Sequence, residues 1–158
     1  VAPAKDPRRP RRALLVCSPG GHLLQLLRLQ PAWEGFETTW VTLPAADSDY
    51  LLRDERVVLG RGPTNRSLRA LLSNLRLAWR VVHRERPDVI LSTGAALVVP
   101  FFLAGKLFGA RLVFVESLTR TTGLSLSGRL VRPLTDAFFV QWPELAHGGR
   151  TRFAGRLL

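Results

Sequence analysis

The sequence predicts an α/β domain built on a doubly wound parallel sheet, and three observations carry that prediction. Short apolar runs alternate with segments of helical apolar spacing along nearly the whole chain. The loops after those runs are small, polar or glycine-rich, as at Ser18-Pro19-Gly20-Gly21-His22, Thr93-Gly94-Ala95-Ala96 and the stretch from Glu116 to Gly123. The 158 residues, 46% of them hydrophobic, supply the core of one domain and not of two.

Each element follows in order. Residues 1–12 combine proline with basic residues and show no apolar period, so they are expected to form a disordered basic arm ahead of a single domain over 13–158. The run ALLVCS (13–18) is a buried strand, SPGGH a glycine turn, and 23–33 a helix. FETTWVTL (36–43) is a second strand, 47–55 a short helix, and RVVLG (56–60) a third strand closed by the turn signal GRGPTN. A long helix runs over 67–85 and stops before Pro87. DVILS (88–92) is the next strand, and the segment 97–109 is a helix that tolerates Pro100 near its start. RLVFVE (111–116), a helix over 124–134, AFFVQW (137–142) and a short terminal strand within 152–158 complete the alternation. Such alternation implies right-handed crossovers, with the ligand site beyond the carboxyl ends of the strands.

Composition narrows the function. The 23 Lys and Arg against 12 Asp and Glu leave a net charge of +11, and only Lys5 and Lys106 among the cations are lysines. That excess points to an anionic partner: nucleic acid, an acidic membrane surface or a phosphorylated ligand. Nucleic acid is set aside, because no binding motif is present and the four Trp do not interleave with the cations. The single Cys17 excludes an internal disulfide, and three scattered His without a second Cys give no metal site. No cofactor motif is present either. The longest uncharged stretch, Val89 to Gly105, falls short of the roughly 20 apolar residues of a spanning helix, and no leader is expected.

The loops supply the candidates. Ser18, Gly20 and Gly21 open the first helix, where backbone N–H groups and the helix dipole can hold a phosphate; a tight turn without ligand is the other reading. Pro19 removes one donor there. His22, at the start of that helix, is either a base or a capping residue. Thr93 and Gly94 repeat the arrangement after the fourth strand, as a shared anion site or a packing turn. Glu116 ends an apolar strand at the crevice, where it binds a sugar hydroxyl, orients a base, or pairs with an Arg. On the long helix, 100° per residue gathers Arg66, Arg69, Arg76, Arg80 and Arg84 into a sector of about 80°. Leu68, Leu71, Leu72, Leu75, Ala78, Trp79 and Val82 take the opposite face, which is expected to bury against the sheet. The Arg stripe then faces acidic lipid headgroups, or solvent alone.

These motifs in this order resemble a family. SPGGH, the long central helix, LSTGAA, VFVESLTRTTGLSLSGRLVRPLTDAFFVQWPEL and AGRLL are similar to the acceptor-side, membrane-associated subunits of split glycosyltransferases. That family includes the eukaryotic asparagine-linked glycosylation subunit fourteen and bacterial PssD-type polysaccharide-biosynthesis proteins. The resemblance implies the N-terminal, Rossmann-like half of a GT-B fold, similar to the first domain of MurG. It further implies a separate donor-binding partner chain, a UDP-sugar donor such as UDP-GlcNAc, and a polyprenyl-diphosphate-linked acceptor. By the same resemblance, Gly20-Gly21-His22 holds the acceptor diphosphate or sugar, His22 is the base and Glu116 lines the acceptor pocket. The chain is then inactive alone. It attaches peripherally to the cytoplasmic face of the membrane, since the basic arm stands where the eukaryotic subunit has a membrane helix. A non-catalytic recruiter of the donor-binding subunit is the alternative, and a self-sufficient nucleotide-binding enzyme lacks its GxGxxG.

Overall fold

The computed structural model describes residues 9–62, 68–146, 149 and 151–157. Among these residues seven strands form one sheet in which every neighbouring pair is parallel. They are β1 (Arg12–Val16), β2 (Glu37–Thr42), β3 (Val57–Leu59), β4 (Val89–Ser92), β5 (Arg111–Val115), β6 (Ala137–Val140) and β7 (Thr151–Phe153). Their order is β3-β2-β1-β4-β5-β6-β7. The order reverses between β1 and β4, and there the loops of the two halves diverge and leave a crevice.

Period-two alternation sorts the strand residues between two cores. Leu14, Val16, Ile90, Leu112, Phe114, Phe138 and Val140 point to the face covered by α4 (Leu68–Glu85), α5 (Val98–Leu107) and α6 (Leu126–Val131). Ala13, Leu15, Leu91 and Val115 point to the other face, against α1 (Gly21–Arg28), α2 (Gln30–Trp33) and the turn after α3 (Ala46–Leu51). Helices on both faces explain why the strands read as continuous apolar runs. The second face is covered unevenly. Over β5 and β6, Val113 and Phe139 are only partly buried, and they border an apolar groove of about 290 Å³ with the terminal segment Ala154–Leu157.

Three expectations change in detail. The helix expected over 23–33 divides, because Pro31 cannot continue α1 and sits instead in the first turn of α2. The end of the basic arm expected over 1–12 is corrected. Arg9 pairs with Asp88 at 2.7 Å, and Arg12 begins β1 with its N–H donated to the same carboxylate; residues 1–8 lie outside the described residues.

The third change concerns α4. Ala70, Asn74, Ala78, Val81, Val82 and Glu85 face inward, whereas Leu71, Leu72, Leu75 and Trp79 are exposed. The expected burial of that whole apolar face is therefore corrected: the sheet and α5 cover only part of it. The polar members of the inward sector are satisfied. Asn74 bonds both the N–H and the carbonyl of Arg61, and Glu85 accepts from Arg56 and Arg84.

Candidate functional site

A cavity of about 500 Å³ opens at the carboxyl edge of the sheet. Its walls come from three strand-to-helix connections and the helix starts that follow them: Ser18 and His22 after β1, Ala95 and Ala96 after β4, and Ser117, Thr119, Arg120, Ser125 and Ser127 after β5. Val99, Leu126 and Leu130 add an apolar side. Among the described residues no acidic one lines it.

His22 is held in one orientation. Its Nδ1 lies 2.7 Å from the carbonyl oxygen of Thr93, and the Thr93 hydroxyl donates in return to the His22 carbonyl at 2.6 Å. A carbonyl only accepts, so Nδ1 carries the hydrogen and Nε2 is the basic nitrogen of the neutral ring. Gly94 makes the close approach possible. Its φ is +123°, and a Cβ there would lie 2.8 Å from the His22 ring. The following residue, Ala95, has φ +83° without being glycine, a strained turn at the cavity wall. Ser92 supports the turn by accepting the Gly94 N–H.

Glu116 is organised differently from expectation. It is 1% exposed and does not line the cavity. Its carboxylate accepts the N–H of Ser117, the N–H of Ser125 and the hydroxyl of Ser125 at 2.9–3.0 Å, tying both ends of the loop together. Ser125 also caps α6 by accepting from the Gly128 N–H. A Cβ at Gly128 would overlap the Glu116 Oε2, so only glycine lets α6 begin this close to the carboxylate. Glu116 is thus corrected from a catalytic candidate to a positioning residue.

A second hub braces the same loop from beneath. Gln25 accepts from the Leu118 N–H and from the amide of Gln141. Gln141 is 2% exposed; it donates also to the Glu116 carbonyl and accepts from the Leu157 N–H at 2.7 Å. The Trp142 indole donates to the Leu118 carbonyl, and Arg156 stacks over that indole at 4.1 Å.

The remaining candidates divide. Ser18 and His22 reach the cavity. The Gly20 N–H is bonded to Asp47 at 2.6 Å, which corrects its assignment as an anion donor. Gly21 begins α1, whose first N–H groups have no partner within the helix. Thr93 and Gly94 are buried and support His22 instead of touching the cavity. Arg69, Arg76 and Arg80 are exposed on α4, Arg84 is exposed but paired with Glu85, and Arg66 lies outside the described residues. Cys17 is buried, which pushes its thiol up to about 12, so it is no nucleophile at neutral pH. Among the described residues no cluster could hold a metal ion. The β5–α6 wall, with Arg120 in it, escaped residue-level reading although its loop was recognised. Its shape depends on Gln25 and Gln141, which are distant in sequence.

Comparisons with known proteins bear on the whole chain. A family model described as oligosaccharide biosynthesis protein Alg14 like matches residues 56–157. The UDP-N-acetylglucosamine transferase subunit ALG14 of Eremothecium gossypii is 33% identical over 181 residues, covering 94% of this chain and 81% of that protein. Its namesake from Rattus norvegicus is 29% identical over 170 residues, covering 88% and 79%. Among solved structures, Acinetobacter baumannii MurG superposes with a TM-score of 0.74 at 18% identity, covering 92% of this chain. A UDP-N-acetylglucosamine 2-epimerase from Rickettsia bellii gives 0.72 at 11% identity, covering 94%. The chain spans 46% of each of these two structures, and the likeness is one of fold.

Proposed function

The chain belongs to the Alg14-like family of oligosaccharide biosynthesis proteins, and from that premise we propose that it is the acceptor-binding, membrane-recruiting subunit of a two-component inverting UDP-sugar glycosyltransferase. The relatives named as subunits of a UDP-N-acetylglucosamine transferase support UDP-GlcNAc as the donor and a separate donor-binding chain as the partner. The apolar groove over β5 and β6 supports such a partner, since Val113 and Phe139 on that sheet face are only partly buried. The acceptor is a polyprenyl-diphosphate-linked sugar.

The observation that carries the catalytic part is the Thr93–His22 bond. With Nδ1–H donated to that carbonyl, Nε2 takes the proton of the acceptor hydroxyl. The hydroxyl oxygen attacks the anomeric carbon of the donor sugar as the bond to the UDP oxygen breaks, and UDP leaves with the electron pair. The product carries the new glycosidic bond with inverted configuration. Thr93 and Gly94 hold the base; Glu116, Gln25 and Gln141 hold the opposite wall.

The exposed surfaces of α4 and α5 support a location. Leu71, Leu72, Leu75 and Trp79 form an exposed apolar flank beside Arg69, Arg76 and Arg80, and α5 adds exposed Leu103 and Leu107. No helix among the described residues is long and apolar enough to cross a membrane. An apolar flank edged by cations supports peripheral attachment to the anionic cytoplasmic face.

The test is His22→Ala in the complex with the donor-binding partner. The substitution lowers kcat by roughly 10²- to 10⁴-fold with complex formation retained. An unchanged kcat would leave the chain a recruiter that contributes no reacting group.

A further inference from the structure

Among the described residues that line the cavity, one is a permanent cation, and its surroundings indicate what it meets. Arg120 sits on the β5–α6 loop, exposed, and among the described residues no carboxylate pairs with it. The loop around it is held rigidly. Ser117 and Ser125 are tied to the buried Glu116, Leu118 is clamped by Gln25 and Trp142, and the Arg120 N–H closes a turn on the Ser117 carbonyl at 3.0 Å. The hydroxyls of Ser117 and Thr119, 3.0 Å apart, belong to residues that line the same cavity. A backbone held at this many points that presents an unpaired guanidinium among hydroxyls, in a cavity lined by no acid among the described residues, suits a phosphate-bearing ligand. The glycine loop opposite is less suited to that role. Its Gly20 N–H is occupied by Asp47, whose charge opposes an anion at that point.

We propose that Arg120, with Ser117 and Thr119, is the binding site for the diphosphate of the lipid-linked acceptor, which directs the acceptor sugar toward His22. This rests on the acceptor-side reading above and adds to it a specific anion site on the β5–α6 loop. The donor also carries a diphosphate, and the experiment separates the two sources.

The experiment compares wild type, Arg120→Ala and Arg120→Lys in the complex with the donor-binding partner. KM is measured for UDP-GlcNAc, for a polyprenyl-diphosphate sugar, and for the same sugar on a neutral lipid ether. Arg120→Ala raises KM for the diphosphate acceptor roughly 10- to 100-fold and leaves the neutral-acceptor and donor KM values within about twofold. Arg120→Lys, which keeps charge but loses the planar fork, falls between. Equal increases for both acceptors, an increase for the donor alone, or no change would overturn the proposal. In parallel, inorganic pyrophosphate is titrated onto the full chain and followed by NMR. Binding by wild type that weakens at least about tenfold in Arg120→Ala supports the site, and equal or absent binding overturns it. That arm stands even if the wild-type complex transfers to no lipid acceptor, a result that would count against the acceptor-side reading itself.

Discussion

At the scale of single residues, the site depends on how His22 is held more than on its presence. A histidine at a helix start is a common packing residue, and nothing in the sequence near it reveals Thr93, which is 71 positions away and fixes the tautomer. Gly94 is the residue where this can be tested without replacing the proposed base. An alanine there would need φ near +123° and would press its Cβ against the imidazole. Gly94→Ala is expected to destabilise the protein by about 1–3 kcal/mol. It should also lower kcat more than it raises KM, because the base is displaced while the binding walls remain; melting curves and steady-state kinetics of the partner complex check this. Equal loss in both parameters would assign Gly94 to folding alone. Glu116 illustrates the opposite case. Its position at a strand end was legible and its role was not, because three local donors consume the carboxylate.

At the scale of elements, α4 shows what periodicity can and cannot convey. The 100° projection separates the Arg stripe from the apolar residues correctly, but it does not say how wide a sector the neighbouring layer covers. Here the covered sector centres on small and polar residues, Ala70, Asn74, Ala78 and Glu85. Asn74 and Glu85 can be buried because Arg61, Arg56 and Arg84 satisfy them, pairings no local pattern reveals. The larger Leu71, Leu72, Leu75 and Trp79 are left outside, edged by cations. A double substitution, Leu75→Glu with Trp79→Glu, should abolish co-sedimentation with vesicles containing acidic phospholipid while leaving the melting temperature within a few degrees, since both side chains are already exposed. Wild type should bind those vesicles more weakly as salt is raised and bind neutral vesicles poorly. Unchanged binding by the double variant would move the attachment surface elsewhere.

At the scale of the whole molecule, the alternation of strands and helices made the parallel sheet legible, and the paired small-residue loops indicated the edge where the cavity lies. Closure of the third wall was not legible, because Glu116, Gln25, Gln141 and Leu157 meet only after the chain has crossed the sheet. That same hub joins the cavity loop to the segment bordering the uncovered apolar groove, so the proposed docking face and the proposed acceptor wall share hydrogen-bonded residues. The arrangement fits a protein that holds the acceptor and one base while another chain brings the donor. The most direct measurement is sugar transfer from UDP-GlcNAc to a polyprenyl-diphosphate sugar by this chain, by its donor-binding partner, and by the two together. Transfer by the pair and by neither chain alone is the predicted result. Transfer by either chain alone at the rate of the pair would contradict the account.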